Sequence, residues 1–185
     1  MHYGNIKYND IANGEGVRVS LFVSGCKNHC PFCFNRETWD FNYGNEFTDL
    51  VAEKILNAIE PYWINGLTIL GGEPMEIENQ KSVHDFVIKF REKFGNTKTI
   101  WVYTGYLFDQ DLVAENGKRH TEYTLEILKN IDIMVDGRFV NELKNLSLKF
   151  RGSENQRIIL VKESLDKGEV ILSPLNKFTN FKPRD

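Results

Sequence analysis

The sequence predicts an α/β fold built on a parallel sheet. Short β-rich segments alternate with helical segments along the chain, and four of the β-rich segments end in glycine-containing loops that carry Cys, Glu, Asp or Thr. Strand–helix alternation is typical of βαβ units. Ligands in such folds bind at the carboxyl ends of the strands, so we expect the four loops to share one edge of the sheet and to form a site there.

The first half of the chain supplies two predicted strands and two predicted helices. The strand GVRVSLFV, at 16–23, runs directly into a cysteine-bearing loop. A helix is predicted over 48–61, because its apolar residues fall on one face, with Thr at the start as an N-cap and Pro at the end. The strand GLTILGGEP lies at 66–74. A second helix is predicted after Ser82, with an apolar stripe from Val83 to Phe94 that belongs to the core.

The second half continues the alternation. TIWVYTG (99–105) is a predicted strand, TEYTLEILKN (121–130) a helix, and IDIMVDG (131–137) a strand with Asp and Gly at its exit. QRIILV (156–161) is a further predicted strand. EVILSPL (169–175) is β-like and precedes a polar tail.

Composition excludes several functional classes. The 185 residues are 41% hydrophobic and 26% charged, which is ordinary for one globular domain. The net charge of −3 argues against nucleic acid as a partner. No apolar run is long enough to span a membrane, and the N-terminus lacks an apolar signal core. We therefore expect a cytoplasmic protein with no membrane or nucleic-acid partner.

All three cysteines of the chain lie in one short segment, SGCKNHCPFCFN, with the spacing C-x3-C-x2-C. Three thiols cannot all pair as disulfides, and clustered reduced thiols indicate metal or redox chemistry. A structural zinc site needs four ligands, and His29 or His84 would have to be the fourth. A 4Fe-4S cluster normally has four thiolates, so three thiolates leave one iron without a protein ligand. Unrelated buried thiols are a further alternative, which a loop rich in Gly, Lys, Asn and His does not favour.

The cysteine spacing after a first strand, with an aromatic between the last two cysteines, resembles the radical S-adenosylmethionine superfamily. LGGEP after the second strand resembles that superfamily's glycine-rich motif. The wider set NGEGVRVSLFVSGC, CFN, LGGEP, YTGY, VDGRF and FRGSENQR resembles the anaerobic ribonucleoside-triphosphate reductase-activating proteins, over residues 13 to about 157. The resemblance implies an incomplete βα barrel of parallel strands. Residues 1–161 would form this domain, and 162–185 a C-terminal extension of it with no assigned role.

The resemblance implies both cofactors and a reaction. Cys26, Cys30 and Cys33 would bind a 4Fe-4S cluster, and S-adenosylmethionine would chelate the open iron. One electron would cleave a carbon–sulfur bond of this ligand to give a 5′-deoxyadenosyl radical. That radical would take a hydrogen from one glycine in the glycyl-radical subunit of the anaerobic ribonucleoside-triphosphate reductase. The electron would come from a low-potential donor such as flavodoxin.

The resemblance also implies contacts for S-adenosylmethionine. The backbone around Phe32 would meet the adenine edge, and Phe32 and Phe34 would keep the cluster dry. Gly71 and Gly72 lack Cβ atoms, which would let the backbone approach the ligand closely. The carboxylate of Glu73 would receive the ammonium group of the ligand. As alternatives, the two Phe are core residues and the glycine pair is a turn.

Thr104 and Asp136 are candidate ribose or ion contacts at the ends of later strands. In related activating enzymes comparable positions hold a monovalent cation near the methionyl carboxylate, which suggests the same for Thr104, Met134 and Asp136. Exposed polar residues at strand ends are the alternative reading.

Three alternatives to the reductase-activating function remain open on sequence alone. Activators of other glycyl-radical enzymes often carry extra ferredoxin-type cysteine runs, and none is present. A small radical enzyme acting on a metabolite would need further polar residues inside the barrel, and no obvious set is found. A non-enzymatic zinc module on three Cys and one His is the third alternative.

Overall fold

A computed structural model describes residues 1–177, which form a seven-stranded mixed sheet and four α-helices. The strands are β1 (His2–Asp10), β2 (Val17–Val23), β3 (Asn45–Glu46), β4 (Ile64–Gly71), β5 (Thr99–Tyr103), β6 (Ile133–Asp136) and β7 (Arg157–Leu160). The helices are α1 (Asp49–Ile59), α2 (Ile77–Phe94), α3 (Thr124–Asn130) and α4 (Val161–Lys167). The predicted α/β class is confirmed.

The sheet is only partly parallel. Its strand order is β3-β1-β2-β4-β5-β6-β7, and the four central strands β2, β4, β5 and β6 run parallel to one another. Both edges are antiparallel, with β1 against β2, β3 against β1 and β7 against β6. The sheet is open, with β3 and β7 at its edges. The expectation of an all-parallel sheet is therefore wrong at the edges, where β1, β3 and β7 pair antiparallel with their neighbours.

The predicted helices are confirmed, with shifted starts for α2 and for α3, which begins at Thr124. Thr48 caps α1, since its side-chain oxygen accepts a hydrogen bond from the backbone N–H of Val51 at 3.4 Å. α2 begins at Ile77, six residues before the predicted start at Val83, because its first turns carry polar residues that the apolar pattern does not detect. Two of these, Asn79 and Gln80, are buried.

The chain ends differ most from expectation. The first ten residues carry β1, which the sequence did not reveal, and α4 follows directly on β7. Residues 169–175 form no strand; within them Leu172 makes one isolated bridge to Ile159. The proposed boundary between 161 and 162 falls inside α4. The division of the chain into 1–161 and 162–185 stays a prediction. The last eight residues of the proposed extension lie outside the described part.

Alternation along the strands divides the core between the two faces of the sheet. Val19, Leu21 and Val23 of β2 share one large cluster with the apolar faces of α1, α2 and α3. On the opposite face Trp101 and Val135 form a smaller cluster with neighbours that include Tyr103 and Phe150. Because this second cluster is small, that face leaves room for a cavity.

The carboxyl ends of the four parallel strands lie side by side, as predicted. Gly71 pairs with Val23 across β4 and β2, and the next strands follow in register. The loops after β2, β4, β5 and β6 therefore meet at one edge of the sheet. Among the helices of residues 1–177, none combines the length and the apolarity that a membrane crossing requires.

Candidate active site

One cavity of about 420 Å³ opens at the carboxyl ends of the parallel strands. Residues from every one of the four strand-end loops line it, together with the segment after β6 that carries FRGSENQ. The sequence-predicted residues on its wall are Cys26, Cys30, Cys33, Phe34, Gly71, Gly72, Glu73 and Thr104. The structure thus brings most of the predicted site together.

The cysteine loop has no helix or strand between 24 and 35, and backbone hydrogen bonds fix its ends. Gly25 N–H donates to Thr38 O at 2.8 Å, and Cys33 N–H donates to Cys30 O at 3.1 Å. His29 and Phe32 adopt positive φ angles of 44° and 60°, which non-glycine residues rarely do outside functional sites. As the chain is folded, no three His, Cys, Asp or Glu side chains of residues 1–177 form a group tight enough to hold a metal ion.

The thiols differ in burial. Cys26 is buried, whereas Cys30 and Cys33 are half-buried. Burial raises the pKa of the Cys26 thiol to about 12, and the neighbouring Glu73 carboxylate adds to the shift. A thiol in such a place ionises only against strong positive charge, which iron ligation supplies. Three sulfur donors on one cavity wall are the set that a 4Fe-4S cluster with one open iron requires, and the thiols would have to come closer together to hold it.

The two phenylalanines of the loop point outwards. Phe34 lines the cavity mouth although its side chain is 96% exposed, and Phe32 is 66% exposed and does not line the cavity. The core alternative for these residues is therefore wrong. Their contact with the adenine edge and with the cluster stays a prediction.

Gly71 and Gly72 are needed by the protein itself. The backbone of Gly71 is left-handed, with φ of 111°, and a Cβ there would lie 2.8 Å from the backbone of Phe22. A Cβ on Gly72 would lie 2.8 Å from the carbonyl oxygens of both Gly25 and Thr38. The missing side chains let the cysteine loop pack on the end of β4, a reason that differs from the ligand approach expected from sequence.

Glu73 is buried, and several donors orient its carboxylate. Oε1 accepts from the Met75 N–H at 3.0 Å, and Oε2 accepts from the Gly105 N–H at 2.7 Å and from Asn28 Nδ2 at 3.1 Å. Burial raises the pKa of Glu73 to about 7, and hydrogen bonds from Thr104, Gly105 and Met75 limit the rise. The group is thus a buried, oriented acceptor beside the cysteine loop that lacks a full counter-charge.

Thr104 and Asp136 have different surroundings. Thr104 is buried on the cavity wall, and its Oγ1 accepts from the Tyr106 N–H at 3.1 Å. Asp136 is fully buried off the wall, where its Oδ1 accepts from Arg157 Nε at 2.9 Å. Met134 places its side chain in the large core cluster. The structure therefore places Thr104 on the cavity wall, whereas Asp136 is paired with Arg157.

Sequence reasoning missed several residues of the wall. Asn28, Gly105 and Tyr103 line the cavity, and so do Arg151 and Gln156 of the FRGSENQR segment. Arg151 NH1 donates to Gln156 O at 3.0 Å, which closes this segment into a tight turn over the sheet. The segment was recognised in the sequence without roles for its members, since only the tertiary fold brings it opposite the cysteines.

Comparison with known proteins agrees with this site. Residues 12–159 match a family model described as a 4Fe-4S single cluster domain. The chain is 37% identical over 158 residues to the anaerobic ribonucleoside-triphosphate reductase-activating protein of Escherichia coli strain K12, covering 84% of this chain and 96% of the relative. The protein of that name from Enterobacteria phage T4 is 36% identical over 158 residues, which is 85% of this chain and 93% of the phage protein.

A third relative extends the similarity. The activating protein of the same name from Haemophilus influenzae is 36% identical over 160 residues, covering 85% of this chain and 97% of its own. The family-model match over residues 12–159 includes the cysteine loop, all four parallel strands and the segment after β6.

Proposed function

This chain belongs to the family of anaerobic ribonucleoside-triphosphate reductase-activating proteins and carries its 4Fe-4S domain, and we propose that it activates such a reductase by installing a glycyl radical. One observation carries the proposal: the three cysteines share a cavity wall with Gly72, Glu73 and Thr104 at the carboxyl ends of the parallel strands. The zinc module and the activator of another glycyl-radical enzyme have no comparable support.

We propose that Cys26, Cys30 and Cys33 hold the cluster and that S-adenosylmethionine binds beside it. When bound, the cluster supplies the electron that cleaves S-adenosylmethionine into methionine and a 5′-deoxyadenosyl radical. Glu73 would accept the ammonium group of S-adenosylmethionine, because it is a buried acceptor on the cavity wall beside the cysteine loop. Thr104 would contribute a polar contact on the same wall. The apolar rings of the wall would keep bulk water from the reacting atoms.

The substrate would be a polypeptide loop of the reductase. The open sheet leaves the cavity accessible from its edge, which suits a glycine held in a protein chain. Curvature of the sheet into a partial barrel would deepen the same cavity. Flavodoxin as electron donor, a monovalent cation near Thr104, and a cytoplasmic location stay predictions.

The function is tested by electron paramagnetic resonance. The protein with its cluster is mixed without oxygen with the anaerobic reductase, S-adenosylmethionine and a low-potential reductant. We expect the doublet of a glycyl radical to appear on the reductase, and omission of S-adenosylmethionine to remove it. An intact cluster that gives no doublet under these conditions would exclude the proposed reaction.

Glu73 gives a pH-dependent prediction. Because its pKa is raised to about 7, part of the population is protonated near neutral pH and has no charge to offer an ammonium group. Binding must then release this proton, so the apparent Kd for S-adenosylmethionine should rise by roughly 10-fold for each pH unit below the pKa. Titration calorimetry at about pH 6, 7 and 8 measures this, with visible absorption as the control for an intact cluster.

A Kd that stays constant across that range would remove Glu73 from the ammonium contact. The stability of the protein without ligand depends on pH in the opposite direction to the affinity for S-adenosylmethionine. The folded protein binds a proton on Glu73 between the ordinary value of 4.5 and about 7, so this group's contribution to the free energy of unfolding falls as the pH rises through that window.

A further inference from the structure

We propose that Glu76 is a positioning residue for the cysteine loop, fixing the backbone between Cys26 and Cys30 against the exit of β5. The inference rests on the proposed function only in that the loop is taken to hold the cluster. Glu76 follows the glycine-rich motif by two residues and does not line the cavity, so it acts through its neighbours.

The carboxylate of Glu76 joins three segments of the chain. It is fully buried. Its Oε1 accepts from the backbone N–H of Lys27 at 2.7 Å and from the hydroxyl of Tyr106 at 2.8 Å. Its Oε2 lies 3.2 Å from Nε of Arg119, an ion pair whose angles are not those of a hydrogen bond. One side chain thus connects the cysteine loop, the loop after β5 and the loop before α3.

The bond to the Lys27 N–H fixes the backbone directly after the first thiol. Lys27 directly follows Cys26, and the stretch from Lys27 to Cys30 contains no helix or strand of its own. A charged acceptor on a backbone N–H makes one of the stronger hydrogen bonds available in a protein. Without it the Lys27 N–H would lose the charged protein acceptor that fixes its position.

Other contacts hold the entry of the loop before Cys26, and the contacts of Asn28 with Glu73 and Arg138 begin two residues after it. Asn79 Nδ2 donates to Ser24 O at 2.9 Å, and Glu73 N–H donates to Gly25 O at 2.9 Å. Both bonds precede Cys26. Glu76 is therefore a fully buried side chain that bonds the backbone N–H of the residue directly after the first thiol.

Tyr106 and Arg119 make the acceptor rigid. The guanidinium of Arg119 lies over the ring of Tyr106, with its central carbon 4.4 Å from the ring centroid. Such a cation–π contact restrains both partners. The carboxylate is thereby held from the side opposite the loop, which is the arrangement expected of a group that orients a ligand-bearing segment.

The test compares Glu76→Ala and Glu76→Gln with Glu78→Ala as matched control. Glu78 also contacts Lys27, but by an ion pair to the side-chain amine at the surface. Gln keeps an oxygen that can accept from both the Lys27 N–H and the Tyr106 hydroxyl, but it loses the charge and the second oxygen beside Arg119. The measurements are the rate at which an iron chelator removes visible absorption, and the midpoint potential of the cluster.

We expect Glu76→Ala to lose its cluster roughly 10-fold faster than the wild type or more, as is typical when a residue that orients ligands is removed. Glu76→Gln should restore retention to within about twofold, and Glu78→Ala should remain within about twofold because exposed ion pairs contribute little. The midpoint potential of Glu76→Gln should rise, since a negative charge near the cluster is gone.

Equal cluster retention in Glu76→Ala and the wild type would overturn the inference. So would a Gln variant as impaired as the Ala variant with an unchanged midpoint potential. If Glu76→Ala does not fold, retention and potential in Glu76→Gln decide the matter alone. A wild-type protein that takes up no cluster would instead contradict the proposed function.

Discussion

Replacing Cys30 by alanine should abolish cluster binding and glycyl-radical formation while leaving the fold intact. Cys30 is half-buried in a loop without helix or strand, and the bond that its backbone oxygen accepts from the Cys33 N–H does not depend on the side chain. Truncation at such a position should change the free energy of unfolding by no more than about 1 kcal/mol. Loss of one of three thiolates, in contrast, leaves a second iron without a ligand.

The variant is compared with the wild type by iron content, by the glycyl doublet and by circular dichroism of the cluster-free proteins. Glu37→Ala, at an exposed position in the turn just after this loop, is the control and should retain cluster and activity. An apo-variant of Cys30→Ala that is unfolded by circular dichroism would show that the thiol has a structural role and contradict this account of the loop.

The second large effect is expected from Gly72→Ala. The added Cβ would lie 2.8 Å from two carbonyl oxygens, those of Gly25 and Thr38, and backbone oxygens cannot rotate away as a side chain can. Either the cysteine loop moves or β4 bends. We expect a loss of about 1–3 kcal/mol in the free energy of unfolding, the usual cost of overpacking, together with faster loss of the cluster to a chelator.

Gly95→Ala is the control, because it makes the same substitution at a glycine far from any contact of the added Cβ. Gly95 ends α2 with φ of 52°, and a Cβ there would meet nothing within 4 Å. Its cost should be the left-handed strain alone, about 1–2 kcal/mol, with no effect on cluster retention. If Gly72→Ala retains its cluster as well as Gly95→Ala does, the contact between loop and strand end has no part in holding the ligands.

Local patterns in the sequence predicted the parallel centre of the fold. Apolar runs bounded by glycine identified β2, β4, β5 and β6, and the i, i+3, i+4 spacing identified α1 and α2. The strand β1 was not predicted because its apolar and polar residues alternate only weakly. Most of its residues are half-buried or exposed. Its strand character depends on pairing with β2, which lies beyond any local pattern.

The candidate site was predicted to the extent that its residues are marked by type and spacing. Cysteine and glycine stand out because few other residues can replace their chemistry or their backbone freedom. Glu76 and Tyr106 carry no such mark, since a carboxylate two residues after a motif is ordinary on a helix N-terminus. Their importance follows from hydrogen bonds between segments about 30 and 50 residues apart in the chain.

The sequence by itself determined the three sulfur donors, the order of the parallel strands' loops and the family to which they belong, because these depend on residue identity and short-range spacing. Only the tertiary structure decided that both sheet edges are antiparallel, that Gly72 accommodates the cysteine loop, and that Asp136 is paired with Arg157. The physical reason is that packing, burial and charge pairing are properties of residues distant in sequence, which acquire their partners only when the chain folds.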